Sequence, residues 1–168
     1  MRQLASVLDI RKSASPVAAA LLACALLSCA TQRRTEDRAV AVKDGDTIVL
    51  AGDRTIRVFG IDAPEKAQAF GDVSRKAAGV LLLEKLVKVE VVNRDRYGRE
   101  VATVWLPDGR SFGAEMVRRG LAWVYTKYTK DPELLELERQ ARSDRVGLWV
   151  DPKPVAPWEY RQSRRRKR

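Results

Sequence analysis

Hydrophobic and polar positions along the chain follow two periods. From Ala39 to Leu50 the apolar residues read as a strand broken by Asp44-Gly45-Asp46, and Thr55 to Ile61 reads as a second strand after the turn residues Gly52-Asp53. Val87, Val89 and Val91 alternate with Lys88 and Glu90. Val101, Thr103 and Trp105 repeat this period beyond the turn Arg96-Tyr97-Gly98-Arg99, which predicts a hairpin of half-buried strands. Leu121 to Tyr125 is a last strand-like piece. Between these runs the spacing becomes helical. Asp72 is placed to cap a helix reaching about Leu86, with Ala77, Ala78, Val80, Leu81, Leu82 and Leu86 on one broad face. Gly113 to Arg119 predicts a short helix ended by Gly120. Asp131-Pro132-Glu133 combines an N-cap, a first-turn proline and an acid matched to the helix dipole, and opens a helix that turns Leu134, Leu137 and Ala141 to one side and stops at Gly147. Pro152, Pro154 and Pro157 are read as precluding regular structure just afterwards. Five short strands with about three helices predict an α+β fold that is mainly β: a closed five-stranded barrel of the OB type, capped by helices.

A chain of 168 residues holds one medium domain and hardly two. The pattern places that domain at 39–150. Arg2, Arg11 and Lys12 precede an apolar run from Val17 to Ala30, the design of a signal peptide over 1–29. Leu26-Leu27-Ser28-Cys29 resembles a lipobox, so export ends either in a lipid anchor on Cys29, as a cell-envelope lipoprotein, or in secretion after ordinary cleavage. Residues 30–38 read as a polar tether, and 151–168 as a proline-containing, strongly basic tail. Both cysteines, Cys24 and Cys29, lie in the leader, so no disulfide staples the domain.

The net charge of +10 is lopsided: residues 1–28 carry three basic side chains and one acid, and residues 161–168 carry six and none. The body is close to balanced, so total charge alone says little about a partner. The absence of histidine is more decisive, since it removes Ser-His triads, Cys-His dyads, His-activated nucleases and nearly every catalytic zinc site. Hydrolytic chemistry here would have to run on carboxylates, arginines, lysines, tyrosines and a hard metal.

Three clusters carry such groups: Asp44-Gly45-Asp46-Thr47-Ile48, then Ile56-Arg57 leading to Gly60-Ile61-Asp62-Ala63-Pro64-Glu65, then Asp95-Arg96-Tyr97-Gly98-Arg99. Each alone has an ordinary structural reading as a turn, a helix start or a solvated ion-pair hairpin. Together they offer carboxylates for a hard cation, a further carboxylate as base and two arginines for a phosphate.

In order and spacing these clusters, with Gly120-Leu121-Ala122 and Gly147-Leu148-Trp149, resemble the thermonuclease or staphylococcal nuclease family over roughly Ala39 to Trp149. The resemblance implies an OB barrel with helices and a calcium-dependent nuclease that cleaves DNA and RNA, with little sequence preference, to products ending in a 3′-phosphate. Carried over by position, Asp46 and Asp62 would be carboxylate ligands of Ca2+, and the main-chain carbonyl of Ala63 a further one. Glu65 would be the general base. Arg57 and Arg99 would grip the phosphate. Asp44 is a secondary acid near the metal, Asp95 a turn former, Tyr97 a phosphate contact and Tyr128 a base-stacking residue. The companion tyrosine position holds Thr126, with Tyr125 one residue away, and Phe70 stands where the family has a tyrosine. Trp158 is expected to dock on the domain. No feature calls for an obligate protein partner, and a monomer is expected. A non-catalytic OB module that binds nucleic acid is the alternative, separated from the enzyme by the complete set Asp46, Arg57, Asp62, Glu65 and Arg99.

Overall fold

The computed structural model of the chain describes residues 34–166. The expected signal peptide, the lipobox with Cys29 and the last two basic residues of the tail lie outside the described residues. Strand β1 (Arg34–Asp44) is long enough to serve two neighbours. Its first half, Arg34 to Arg38, pairs antiparallel with β5 (Leu86–Arg94), and its second half, Ala39 to Asp44, with β2 (Thr47–Leu50). Register shifts between Ala39 and Ala41 and between Val42 and Asp44 let the strand bend from one neighbour to the other. β2 continues antiparallel to β3 (Thr55–Val58), β3 runs parallel to β6 (Glu100–Trp105), and β6 returns antiparallel to β5. The order β1-β2-β3-β6-β5 is therefore a closed barrel with no open edge, the α+β class that the pattern predicts.

Residues 34–38 are thus a barrel strand, where the sequence suggests tether. Their side chains are mostly exposed, so the apolar signal of a strand is missing. Ion pairs take its place, Arg34 with Glu90 at 2.8 Å and Arg54 with Asp37 at 3.0 Å. A second difference lies in β6. Ala102 and Val104 point into the barrel, while Val101, Thr103 and Trp105 occupy its half-covered outer face. A one-residue offset exchanges the faces of a strand, and the small Ala102 fits an interior already filled by Ile48, Ile56, Val87 and Val89.

Helix α1 (Gly71–Leu82) closes one side of the barrel with Ala78, Leu81 and Leu82. It starts after Phe70, whose φ of 64° makes a left-handed entry, so Asp72 sits in the first turn and is not the cap. It ends four residues before the expected Leu86, because Glu84 takes a φ of 62° and turns the chain into β5. Val80, assigned by spacing to the core face, is 74% exposed. Helix α2 (Phe112–Arg118) is capped by Ser111, and helix α3 (Pro132–Ser143) by Asp131, which accepts from the N–H groups of Glu133 and Leu134. Short strands β4 (Ile61–Asp62) and β7 (Trp123–Val124) form a two-stranded ribbon that carries the chain out of the barrel.

Helix α4 (Pro157–Arg166) is a fourth helix among the described residues, where the sequence predicts irregular structure. Pro157 opens it, and a proline in the first turn sacrifices no hydrogen bond because that N–H has no partner inside a helix. Ala156 packs with Trp123, Ala141, Leu148 and Trp149 in a small second core, against which Trp158 and Phe70 rest. Gly120 and Gly147 lock that region: both have positive φ, 61° and 58°, and a Cβ on Gly147 would collide with the carbonyl oxygens of Arg119 and Gly120.

Candidate active site

One cleft of about 790 Å³ brings together the three charged clusters and α4. Its floor is the turn between β1 and β2. The Asp44 carboxylate accepts the Asp46 N–H at 3.1 Å, so Asp44 shapes the turn. Gly45 lets that turn lie against Ser74 of α1, where a Cβ would clash. Asp46 is buried: one carboxylate oxygen accepts the Thr47 hydroxyl at 3.0 Å, the other the Ala63 N–H at 2.6 Å. Burial pushes the Asp46 carboxyl up to about 7. Arg57 and the Ala63 N–H work against that rise, and the like charges of Asp44 and Asp62 add to it.

Asp62 enters from β4 and Arg57 from β3. The Arg57 guanidinium donates to the carbonyls of Val58 and Ile61, both at 2.8 Å, and to the Asp62 carboxylate at 2.8 Å, and it lies 3.1 Å from Asp46. Both acids therefore meet one nitrogen of Arg57. Glu65 follows on the loop into α1. Its main-chain N–H donates to the Gln68 side chain at 3.2 Å and its carboxylate is partly exposed. Arg99 reaches the cleft from the β5–β6 hairpin, held by Asp95, which accepts the N–H groups of Tyr97 and Arg99 and the Arg99 Nε at 2.7 Å. Its other side-chain hydrogen bond among the described residues is a long one to the Thr47 hydroxyl at 3.5 Å. Tyr97 is exposed on the same hairpin, with the guanidinium groups of Arg96 and Arg99 over its ring.

The structure thus brings Asp46, Arg57, Asp62, Ala63, Glu65 and Arg99 around one cleft, with Tyr97 and Tyr128 exposed on its rim. Tyr128 meets Tyr125 edge to face at 4.8 Å. Tyr125 does not present a free face as a substitute stacking residue on its Trp158 side, because the two rings stack at 5.2 Å with planes 5° apart. Trp158 also meets Trp123 edge-on, so it docks on the domain.

Sequence reasoning missed Arg161. Helix α4 delivers it between Asp62 and Glu65, with Nη2 2.7 Å from Asp62 Oδ2 and Nη1 2.7 Å from Glu65 Oε1. Burial works against its charge, but the hydrogen bonds to Asp62 and Glu65 outweigh it and raise its pKa above the ordinary arginine value. The signal available in the sequence was Pro157-Trp158, a helix start with an apolar anchor in its first turn.

The donor set suits a hard divalent cation. Its members are oxygens, and the desolvated Asp46 beside two other acids is a site that added positive charge would relieve. Among the described residues no three acidic, histidine or cysteine side chains form a ready cage. A cation here would draw its remaining oxygens from main chain, water and substrate.

The model of the family described as staphylococcal nuclease homologue matches residues 55–151, which includes Arg57, Asp62, Ala63, Glu65 and Arg99. Protein ParB of Escherichia coli is 39% identical over 164 residues, covering 90% of this chain and 93% of that protein. An uncharacterized endonuclease of Escherichia coli O157:H7 is 46% identical over 127 residues, 74% of this chain and 83% of that one. The micrococcal nuclease of Shigella flexneri is 41% identical over 137 residues, 74% and 79% of the two chains.

Proposed function

The chain belongs to the staphylococcal nuclease family and is a nuclease hydrolase; from that premise we propose a calcium-dependent enzyme that cuts DNA and RNA with little sequence preference and leaves 3′-phosphate ends. The observation that carries the reading is the gathering of Asp46, Asp62 and Glu65 with Arg57 and Arg99 around one cleft in a chain without histidine. Asp46, Asp62 and the Ala63 carbonyl would hold the cation. When bound, it would supply positive charge to a phosphate oxygen and to the attacking water. Glu65 takes the proton from that water as it attacks phosphorus in line with the 5′ oxygen, the P–O5′ bond breaks, and the departing oxygen takes a proton from solvent to leave as a 5′-hydroxyl. Arg99 binds the phosphate oxygens as charge grows on them, a role suited to a guanidinium anchored through Nε on Asp95 whose Nη groups make one long hydrogen bond among the described residues. Arg57 shares its charge between the acids and the phosphate. Little sequence preference is supported by the rim, where exposed tyrosines and basic side chains such as Lys127 and Arg165 suit backbone and base faces in general.

Purified chain incubated with DNA and with RNA is expected to cleave both in calcium and neither in excess chelator, read on a denaturing gel. Undiminished cleavage in chelator would remove the metal from the mechanism.

We further propose that the chain is exported and anchored by a lipid on Cys29, supported by the charged start, the apolar run and Leu26-Leu27-Ser28-Cys29. Cys29→Ala is then expected to shift the protein from membrane to soluble fractions and to abolish incorporation of labelled fatty acid. A native N-terminus mapped downstream of Cys29 would refute lipidation.

A further inference from the structure

We propose that Arg161 is a positioning residue of this nuclease, holding Glu65 and Asp62 at a fixed separation, so that helix α4 is part of the working site; the proposal rests on the nuclease reading above. The geometry is a guanidinium fork between two carboxylates. Nη1 donates to Glu65 Oε1 at 2.7 Å and to Asp62 Oδ1 at 3.2 Å, and Nη2 donates to Asp62 Oδ2 at 2.7 Å. A planar fork fixes orientation as well as distance. Glu65 needs that support: its side chain is 40% exposed, whereas Asp62 is 2% exposed and also held by Arg57. A base with free rotamers spends little time in the one orientation that receives the proton.

The same helix also braces the main chain beneath Glu65. The Val155 carbonyl, just before α4, accepts from the Gln68 side-chain amide at 2.6 Å, and the oxygen of that amide accepts the Glu65 N–H at 3.2 Å. The Tyr160 hydroxyl donates to the Ala67 carbonyl at 3.0 Å. The loop that carries Glu65 is therefore gripped at its backbone by residues on both sides of the α4 start and at its carboxylate by Arg161.

Docking of α4 does not depend on Arg161. Ala156 and Pro157 are buried, and Trp158 is fixed by the rings of Tyr125 and Trp123. Replacing the guanidinium should leave the helix in place and release only the carboxylates. Charge points the same way. The cleft is lined by five carboxylates and by a larger number of basic side chains, but among the ion pairs of the described residues Asp62 is met only by Arg57 and Arg161, and Glu65 only by Arg161.

The test is a double-mutant cycle on the purified full chain, with kcat and KM measured on a short oligonucleotide in calcium for wild type, Arg161→Gln, Arg161→Lys, Glu65→Gln and the double variant. Near-ultraviolet circular dichroism of the tryptophan cluster would check that α4 stays docked. Arg161→Gln is expected to lower kcat by about 10–100-fold with KM little changed. Arg161→Lys should fall between it and wild type, since lysine keeps the charge but cannot span both carboxylates. In the Glu65→Gln background, Arg161→Gln should add almost nothing, because the group it positions is gone. An unchanged kcat, a change in KM alone, or an equal loss in both backgrounds overturns the proposal. A wild-type chain that cuts neither DNA nor RNA in calcium, magnesium or manganese overturns the nuclease reading itself, and this proposal with it.

Discussion

Glu65→Gln is expected to reduce cleavage by about 10²–10⁴ while affinity for a short oligonucleotide in calcium stays near that of the unaltered chain. The amide keeps the volume of the carboxylate and an oxygen that can still accept from Arg161 Nη1, so the cleft should keep its shape. What it loses is the ability to take a proton from water. With no histidine in the chain, no imidazole can take over that step. Loss confined to kcat is the signature of a group used in the transition state and not in ground-state binding. If both proteins bind equally and neither cleaves DNA or RNA in calcium, the chain is a binding module and the catalytic reading is wrong.

The barrel was legible because its strands alternate and its turns carry Gly and Asp at the positions that need them. Asp131-Pro132-Glu133 was equally plain, since a cap, a first-turn proline and a dipole-matched acid agree on one helix start. Strand residues 34–38 were hidden for the opposite reason. They lie on the barrel surface and are held by main-chain pairing and ion pairs, neither of which leaves a hydrophobic period. In β6 the period is legible but not the face: Val101, Thr103 and Trp105 lie on the half-covered outer side, because the packed interior has room for the smaller Ala102 and Val104.

The site separates in the same way. Asp46, Arg57, Asp62, Ala63 and Glu65 sit on or beside strands β2 to β4, close in sequence, so their grouping could be anticipated from local motifs. Arg161 lies 96 positions from Glu65 and comes to it only because α4 packs Trp158 on Tyr125. One arginine among the six basic residues of 161–168 carries no local mark of being the one that turns inward. Long-range docking of a single anchored helix is information that periodicity does not hold.

The two arginines assigned to the phosphate are expected to part company in stability. Arg57→Ala should destabilise the fold by about 3–5 kcal/mol, and Arg99→Ala by no more than about 1 kcal/mol, in chemical denaturation at pH 8 with chelator present. Arg57 is 14% exposed and meets four protein acceptors; removing it leaves Asp46 buried with no cation in contact among the described residues, because Arg161 reaches Asp62 but has no bond to Asp46. Arg99 sits on a hairpin, 30% exposed, against a partly exposed Asp95, and water can replace most of what is lost. The pH dependence follows from Asp46. Its folded pKa of about 7 lies above the ordinary 3.8, so the folded chain binds that proton more tightly than the unfolded one, and this group's contribution to stability falls as pH rises between those values. Arg57 is one of the causes that lower the Asp46 pKa, so its removal should carry the decline to higher pH and make the variant's deficit larger at pH 8 than at pH 5. Both substitutions should still cost turnover, Arg99→Ala by about 10²–10³ through lost stabilisation of the phosphate charge. Equal denaturation midpoints for the two variants would mean that Arg57 is as free as Arg99, and that the buried Asp46 is neutralised by something other than its guanidinium.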